Sequence, residues 1–212
     1  MSDEKSMKLK TSATKMFASN PVLVTGLILG PLVVCATSLQ NAAGLSIAFA
    51  LIVVPVLLFA AWIGVRLPAP ARAAAYVTIA GLMLIPVEML VSRISQTIFD
   101  SLGIYLPLMA VNSIVVAYTA RYTEKHDLGT ALMDGVFFSL GFALTAGVLG
   151  LLRELFGSGT IWGVPVAQFK APALLLPFSG FILLGFMAAA VQGIKSLAEK
   201  RAGKDSGEGA EP

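Results

Sequence analysis

From Met16 to Val65 the chain carries no charged side chain, and that run constrains the fold more than any other feature. Further uncharged runs cover 73–87, 101–120 and 171–194. A helix crossing a bilayer needs about 20 apolar residues, because its backbone groups must pair internally where there is no water. Runs of this length and number do not suit the core of a small soluble domain. Only 13% of the residues are charged, about half the usual ~25% of soluble domains. Mean hydropathy is +0.84. The chain reads as an all-α, polytopic membrane protein.

The formal net charge of +3 does not point to nucleic acid. The charges lie in tails and short loops, which leaves no basic face for a phosphate backbone. The single cysteine, Cys35, excludes an internal disulfide and any four-cysteine metal site built by this chain alone. No cleavable signal is expected: MSDEKSMKLKTSATK is polar, and the apolar run after it is too long for a signal core. Walker A, GxGxxG, HExxH, CxxC and GxSxG motifs are all absent, so independent catalysis is not expected.

Six transmembrane spans are expected, at about 19–38, 42–65, 72–92, 103–120, 130–152 and 173–194. They divide the chain into an N-terminal cytoplasmic segment (1–18), a membrane domain (19–195) and a disordered cytoplasmic tail (196–212). Short connections at Gln40-Asn41 and at Pro68 to Arg72 imply antiparallel neighbours. Pro55 and Pro177 fall inside spans two and six, where neighbouring helices can satisfy the freed carbonyls. Six spans put both termini on one side with the 2–3 and 4–5 loops. That side holds twelve of the 15 basic residues, leaving only Arg93, Arg153 and Lys170 opposite. Basic residues stay cytoplasmic, so both termini are expected inside.

ILGPL (28–32) and IYLPL (104–108) align at Ile, Pro and Leu. Each opens the first span of one half, and each runs on into small and hydroxyl-bearing residues. A repeat of three spans must be inverted relative to its partner. The expected architecture is two inverted three-helix repeats, about 19–92 and 103–194, with broken first and fourth segments. The ends of such half-helices leave backbone groups unpaired, which is tolerated only inside protein or around a cavity. Two ordinary Pro-kinked helices would give the same spacing.

The residues that carry a resemblance lie at these interruptions. NPVLVTGLILGPLVVCATSLQNAAGL (20–45) resembles the opening of the six-span D/E-type membrane subunits of the Rnf complex and the Na⁺-translocating NADH:quinone oxidoreductase (Nqr). SLGIYLPLMAVNSIVVAYTA (101–120) resembles the second broken segment of that family. ALMDGVFFSLGFALTAGVLGLLRELFGSGTIWG (131–163) and PFSGFILLGFMAA (177–189) extend the likeness over roughly 19–195. It implies a non-catalytic subunit of a translocase in a bacterial or archaeal cytoplasmic (inner) membrane. Partners would be the other Rnf/Nqr-type subunits, above all an inverted E/A-type sister, together with the lipid bilayer. The complex would carry iron–sulfur clusters and flavin, and couple electron transfer to Na⁺ or H⁺ movement.

In the family, two cysteines from each sister hold an intramembrane cluster where the broken helices meet. One stands directly before the first proline, where this chain has Gly30; the other follows an asparagine, where Ser113 follows Asn112. Neither can replace a soft thiolate, so the intramembrane 2Fe–2S cluster lacks both ligands from this chain. Cys35 lies more than a helical turn past Gly30. Three readings stay open: an Rnf/Nqr-like subunit with its cluster lost or differently bound, a derived transporter or structural partner without an electron path, and a rearranged centre ligated by Cys35.

Glu88 is the carboxylate deepest in an apolar run. It reads either as an ion-path group, together with Asn112, or as an interfacial group paired with Arg93 or Arg153. Arg153-Glu154 is expected to form an interfacial cluster with a neighbouring subunit. Thr37, Ser38, Asn112 and Ser113 are expected to bond freed backbone carbonyls ahead of any ion. His126 reads as a solvated loop residue. Trp62, Trp162, Tyr76, Tyr105 and Tyr118 read as an aromatic belt. Gly141, Ala143, Ala146, Gly147 and Gly150 suggest a close helix contact.

Overall fold

The computed structural model describes residues 29–63, 66–112, 115 and 128–207. Ser113, Tyr118, His126 and the start of span one lie outside the described residues.

Helix α1 is short, Leu29–Cys35. Pro31 lies within it. The chain turns at Ala36 to Ser38 and enters α2, Leu39–Ile63. The connection expected at Gln40-Asn41 is therefore misplaced, since both residues belong to the first turn of α2. Ser38 decides this: its Oγ accepts the N–H of Asn41 at 3.2 Å, the bond that an N-cap serine makes.

Helix α3, Ala69–Ile94, opens at Pro68 and Pro70 and carries Pro86 without interruption. Ser95 ends it and also caps α4, Gln96–Leu102, by accepting the N–H of Ile98 at 3.4 Å. Gly103, with φ of 44°, turns the chain into α5, Tyr105–Leu108, which continues as a 3-10 turn, Met109–Val111. Helix α6 spans Leu128–Arg153 and widens into a π turn, Glu154–Ser158. Gly159 follows at φ of 71°, with the Ala167 carbonyl 2.5 Å from where a Cβ would stand, so only glycine fits.

The α6–α7 connection contains structure not expected from the sequence. Strands β1 (Thr160–Ile161) and β2 (Val164–Pro165) pair antiparallel around Trp162-Gly163. A 3-10 turn, Pro172–Leu175, leads into α7, Pro177–Gly207. Pro177 is thus the first residue of a helix rather than a kink within one. The helix also continues through most of the stretch expected to be a disordered tail. Lys, Leu, Ala, Glu and Arg in KSLAEKRA favour a helix well past the apolar part.

Among the described residues, four helical stretches are long and apolar enough to cross a membrane: Leu39–Ile63, Pro70–Ile94, Leu128–Ser158 and Pro177–Ile194. The described parts of spans one and four are short pieces instead. The tightest packing is α2 along α6, where Phe49 and Phe142 stack with ring centroids 4.3 Å apart. A Cβ on Gly135 would meet Val54 at 3.2 Å, and one on Gly150 would meet the Ser38 carbonyl at 2.8 Å. Both glycines let the two backbones approach, the usual device where lipid removes the hydrophobic drive between helices. The close contact expected on α6 is therefore internal at Gly150, whereas Gly147 has nothing within 4 Å. Tyr76 is fully buried in the core and does not join a belt, while Trp62 and Trp162 are exposed.

Candidate functional site

The break between α1 and α2 frees backbone groups on both sides, and one dipeptide more than a hundred residues away supplies partners to both. Arg153 is completely buried at the end of α6. Its Nη1 donates to the Val33 carbonyl at 2.5 Å and to the Ala36 carbonyl at 3.1 Å. Its Nε donates to the Leu174 carbonyl at 2.9 Å, and its Nη2 to those of Leu175 and Leu176 at 2.6 and 3.3 Å. A guanidinium offers five N–H groups in a rigid fork, and here it meets five carbonyls. Those carbonyls belong to the C-terminal end of α1 and to the irregular segment before α7. Arg153 ties the two together.

Glu154 serves the opposite side of the break. Its Oε2 accepts the N–H of Leu39, the first residue of α2, at 2.7 Å. Its Oε1 accepts from the N–H of Gly163 at 2.7 Å and the hydroxyl of Thr160 at 3.1 Å. A carboxylate at a helix N-terminus also meets the positive end of the helix dipole. The cation therefore stands at the C-terminal end of α1 and the anion at the N-terminal end of α2, each where the dipole favours it. The pair is internal, which corrects the expectation of an interfacial cluster with another subunit. Freed backbone groups in an apolar setting need charged donors and acceptors nearby, and the chain supplies its own.

Small residues let the parts close up. A Cβ on Gly180 of α7 would stand 2.8 Å from the Val33 side chain and 3.4 Å from Arg153 Nη1. Thr37 donates from its N–H (2.7 Å) and hydroxyl (3.5 Å) to the Cys35 carbonyl. Cys35 itself is buried, its thiol 4.0 Å from the carbonyl of Leu102, the last residue of α4. Helix α1 also packs on α5, so the two interrupted segments lie side by side.

The second interruption repeats some of this chemistry. Each of the two short helices carries a proline, Pro31 in α1 and Pro107 in α5. Asn112, buried at 6% exposure, donates to the Met109 carbonyl, and its Oδ1 accepts the N–H of Val115 at 2.9 Å. That is the same three-residue reach that Ser38 makes to Asn41. Thr37 and Asn112 thus bond freed carbonyls as expected, whereas Ser38 takes an N–H.

Gly30 is exposed on α1, with nothing within 4 Å of a Cβ built on it. The break falls at the other end of α1, at Ala36 to Ser38. Glu88 is half-buried on α3, and the donors of Arg153 are all engaged with carbonyls. Sequence reasoning missed Arg153-Glu154 as an internal brace. The available signal was a charge pair ending one apolar run in a chain whose other runs contain breaks that need donors and acceptors.

Long apolar helices packed through glycines, with two short interrupted segments side by side, define a polytopic helical membrane protein of the broken-helix kind. Comparison with known proteins gives the family. A profile described as "Rnf-Nqr subunit, membrane protein" matches residues 8–197. The chain belongs to that family. It is 32% identical over 206 residues to the E-type subunit of the ion-translocating oxidoreductase complex of Vibrio parahaemolyticus, covering 90% of each chain. The protein of that name in Vibrio atlanticus is 30% identical over 217 residues, covering 95% of this chain and 93% of the relative. A third, from Shewanella sp. (strain ANA-3), is 29% identical over 202 residues, covering 88% and 85%.

Proposed function

We propose that this chain is the E-type membrane subunit of an ion-translocating oxidoreductase complex of the Rnf kind. The observation that carries the reading is the end-to-end match to relatives of that name, which includes both interrupted segments. The geometry fits a subunit that contributes two broken helices to a shared path through the membrane. The proline in each short helix and the shared cap spacing favour descent of the two segments from an inverted repeat, with a related inverted subunit as the partner. The distribution of basic residues favours both termini on the cytoplasmic side of an inner membrane. A stand-alone transporter is the lesser reading, since the relatives are named as subunits of a complex.

This chain's residues do not fit a thiolate-bound cluster at the interrupted segments. Position 30 is glycine, and the Cys35 thiol is buried against the Leu102 carbonyl rather than turned toward Gly30. An electron step through a cluster held by this chain therefore has no support in its residues. The direct test is affinity purification of the tagged chain in mild detergent, followed by identification of co-purifying chains. Other membrane and flavin-bearing subunits are expected in fixed proportion, and a homo-oligomer alone would overturn the reading. Iron and acid-labile sulfide in that complex should be unchanged by Cys35→Ser, whereas a loss would make Cys35 a ligand.

A further inference from the structure

The hairpin between α6 and α7 carries an exposed apolar surface that the brace does not use. Trp162, Val164, Val166 and Phe169 are 53, 61, 62 and 69% exposed within eight residues. Trp162 holds a left-handed backbone, φ 56°, which a bulky residue adopts only under constraint. Its carbonyl accepts from Gln40 Nε2 at 3.2 Å. Its side chain walls a cleft of about 150 Å³ with Ala43, Gly44, Val91, Ile94 and Ile98. The hairpin is thus pinned to the end of the bundle where α2 starts and α3 ends, with Trp162 half-exposed at the edge of an apolar cleft.

The position of this surface says what covers it. The hairpin joins two helical stretches long and apolar enough to cross a membrane, one ending at Ser158 and the next starting at Pro177. Phe156, Leu176 and Phe178, at the ends of the flanking helices, are exposed apolar residues as well. Lys170 follows Phe169 and supplies a cation at headgroup level. An indole ring with one polar N–H beside a lysine is the composition that settles at a membrane interface.

We propose that the Thr160–Pro165 hairpin and the cleft behind it form an interfacial lipid site. Its occupant is a phospholipid of the adjacent leaflet, with an acyl chain against the cleft and the headgroup beside Lys170. The surface anchors the α6–α7 connection, and with it the Arg153-Glu154 brace, to a fixed depth. This rests only on the chain being a polytopic membrane protein, so it stands or falls independently of the complex it serves.

The test uses the full chain reconstituted in phosphatidylcholine vesicles. Trp62→Phe leaves Trp162 as the sole tryptophan. Bromine placed near the headgroup end of the acyl chains should cause about a twofold loss of Trp162 emission, and bromine at the chain ends a smaller loss. The difference between wild type and Trp162→Phe gives the same quantity with Trp62 left in place. Phe169→Trp in a chain lacking both native tryptophans should show the same depth preference. Insensitivity to bromolipid at either position would overturn the proposal, with aqueous iodide quenching meaning a solvated hairpin and its absence meaning protein cover. Stronger quenching from chain-end bromine would overturn it too, by placing the hairpin in the hydrocarbon.

Discussion

Arg153 is the largest side chain in the interior, and an ionised group without partners there would be costly. Its burial is tolerable because each N–H of the guanidinium has a carbonyl, while Ser179 also donates to two of those carbonyls, Leu174 and Leu176. Arg153→Met removes all five bonds and should lower stability by about 3 kcal/mol or more. The measurement is the temperature at which the detergent-solubilised protein aggregates. Arg153→Lys should recover only part of the loss, since an ammonium has three donors and no planar fork. For Glu154 the ordering is the informative result. Glu154→Gln keeps one acceptor oxygen but loses the charge opposite the α2 dipole, and should cost about 1 kcal/mol. Glu154→Ala leaves the N–H groups of Leu39 and Gly163 unmet and should cost about 2 to 3 kcal/mol. If Gln and Ala behave alike in the same melting assay, the acceptor role assigned to Glu154 is wrong.

Among the elements, α6 sets the spacing of the others through two glycines with opposite surroundings. Gly150 faces Ser38 at the break, so Gly150→Ala must push α2 away and should cost about 1 to 3 kcal/mol. Gly147 faces open space, and Gly147→Ala should be neutral or stabilise the helix by up to about 1 kcal/mol. Measured together, the two substitutions separate packing from helix propensity. The four long spans were legible because hydropathy is a local property, and so was the presence of interruptions, marked by Pro31 and Pro107. The place of the first break was not legible. The chain stays helical through Pro31, and the turn comes where Ser38, Arg153 and Glu154 provide partners for the freed groups. Two of those three lie more than a hundred residues away, beyond any local pattern. The β-hairpin escaped for another reason: its strands are two residues each, and its turn uses a tryptophan where asparagine or glycine is the usual signal.

At the scale of the whole molecule, the ends of the helices sort the charged residues. Arg66 and Arg72 lie at the end where α2 meets α3, while Arg93 and Lys170 lie at the hairpin end. Arg153 stands at the hairpin end too, but it is buried against backbone and contributes no surface charge there. Discounting it sharpens the asymmetry, since the hairpin end then keeps only two exposed basic residues among those described. The hairpin end should therefore face away from the cytoplasm. The chain is well suited to a direct test, because its one cysteine is buried and can be replaced by alanine for about 1 kcal/mol. In that background, Lys170→Cys should react with a membrane-impermeant maleimide added to spheroplasts, and Arg72→Cys should react only after the membrane is broken. Arg93→Cys should follow Lys170→Cys, because both stand at the same end of the bundle. The opposite pattern would invert the orientation while leaving the brace intact, and a split between positions 93 and 170 would contradict the fold itself.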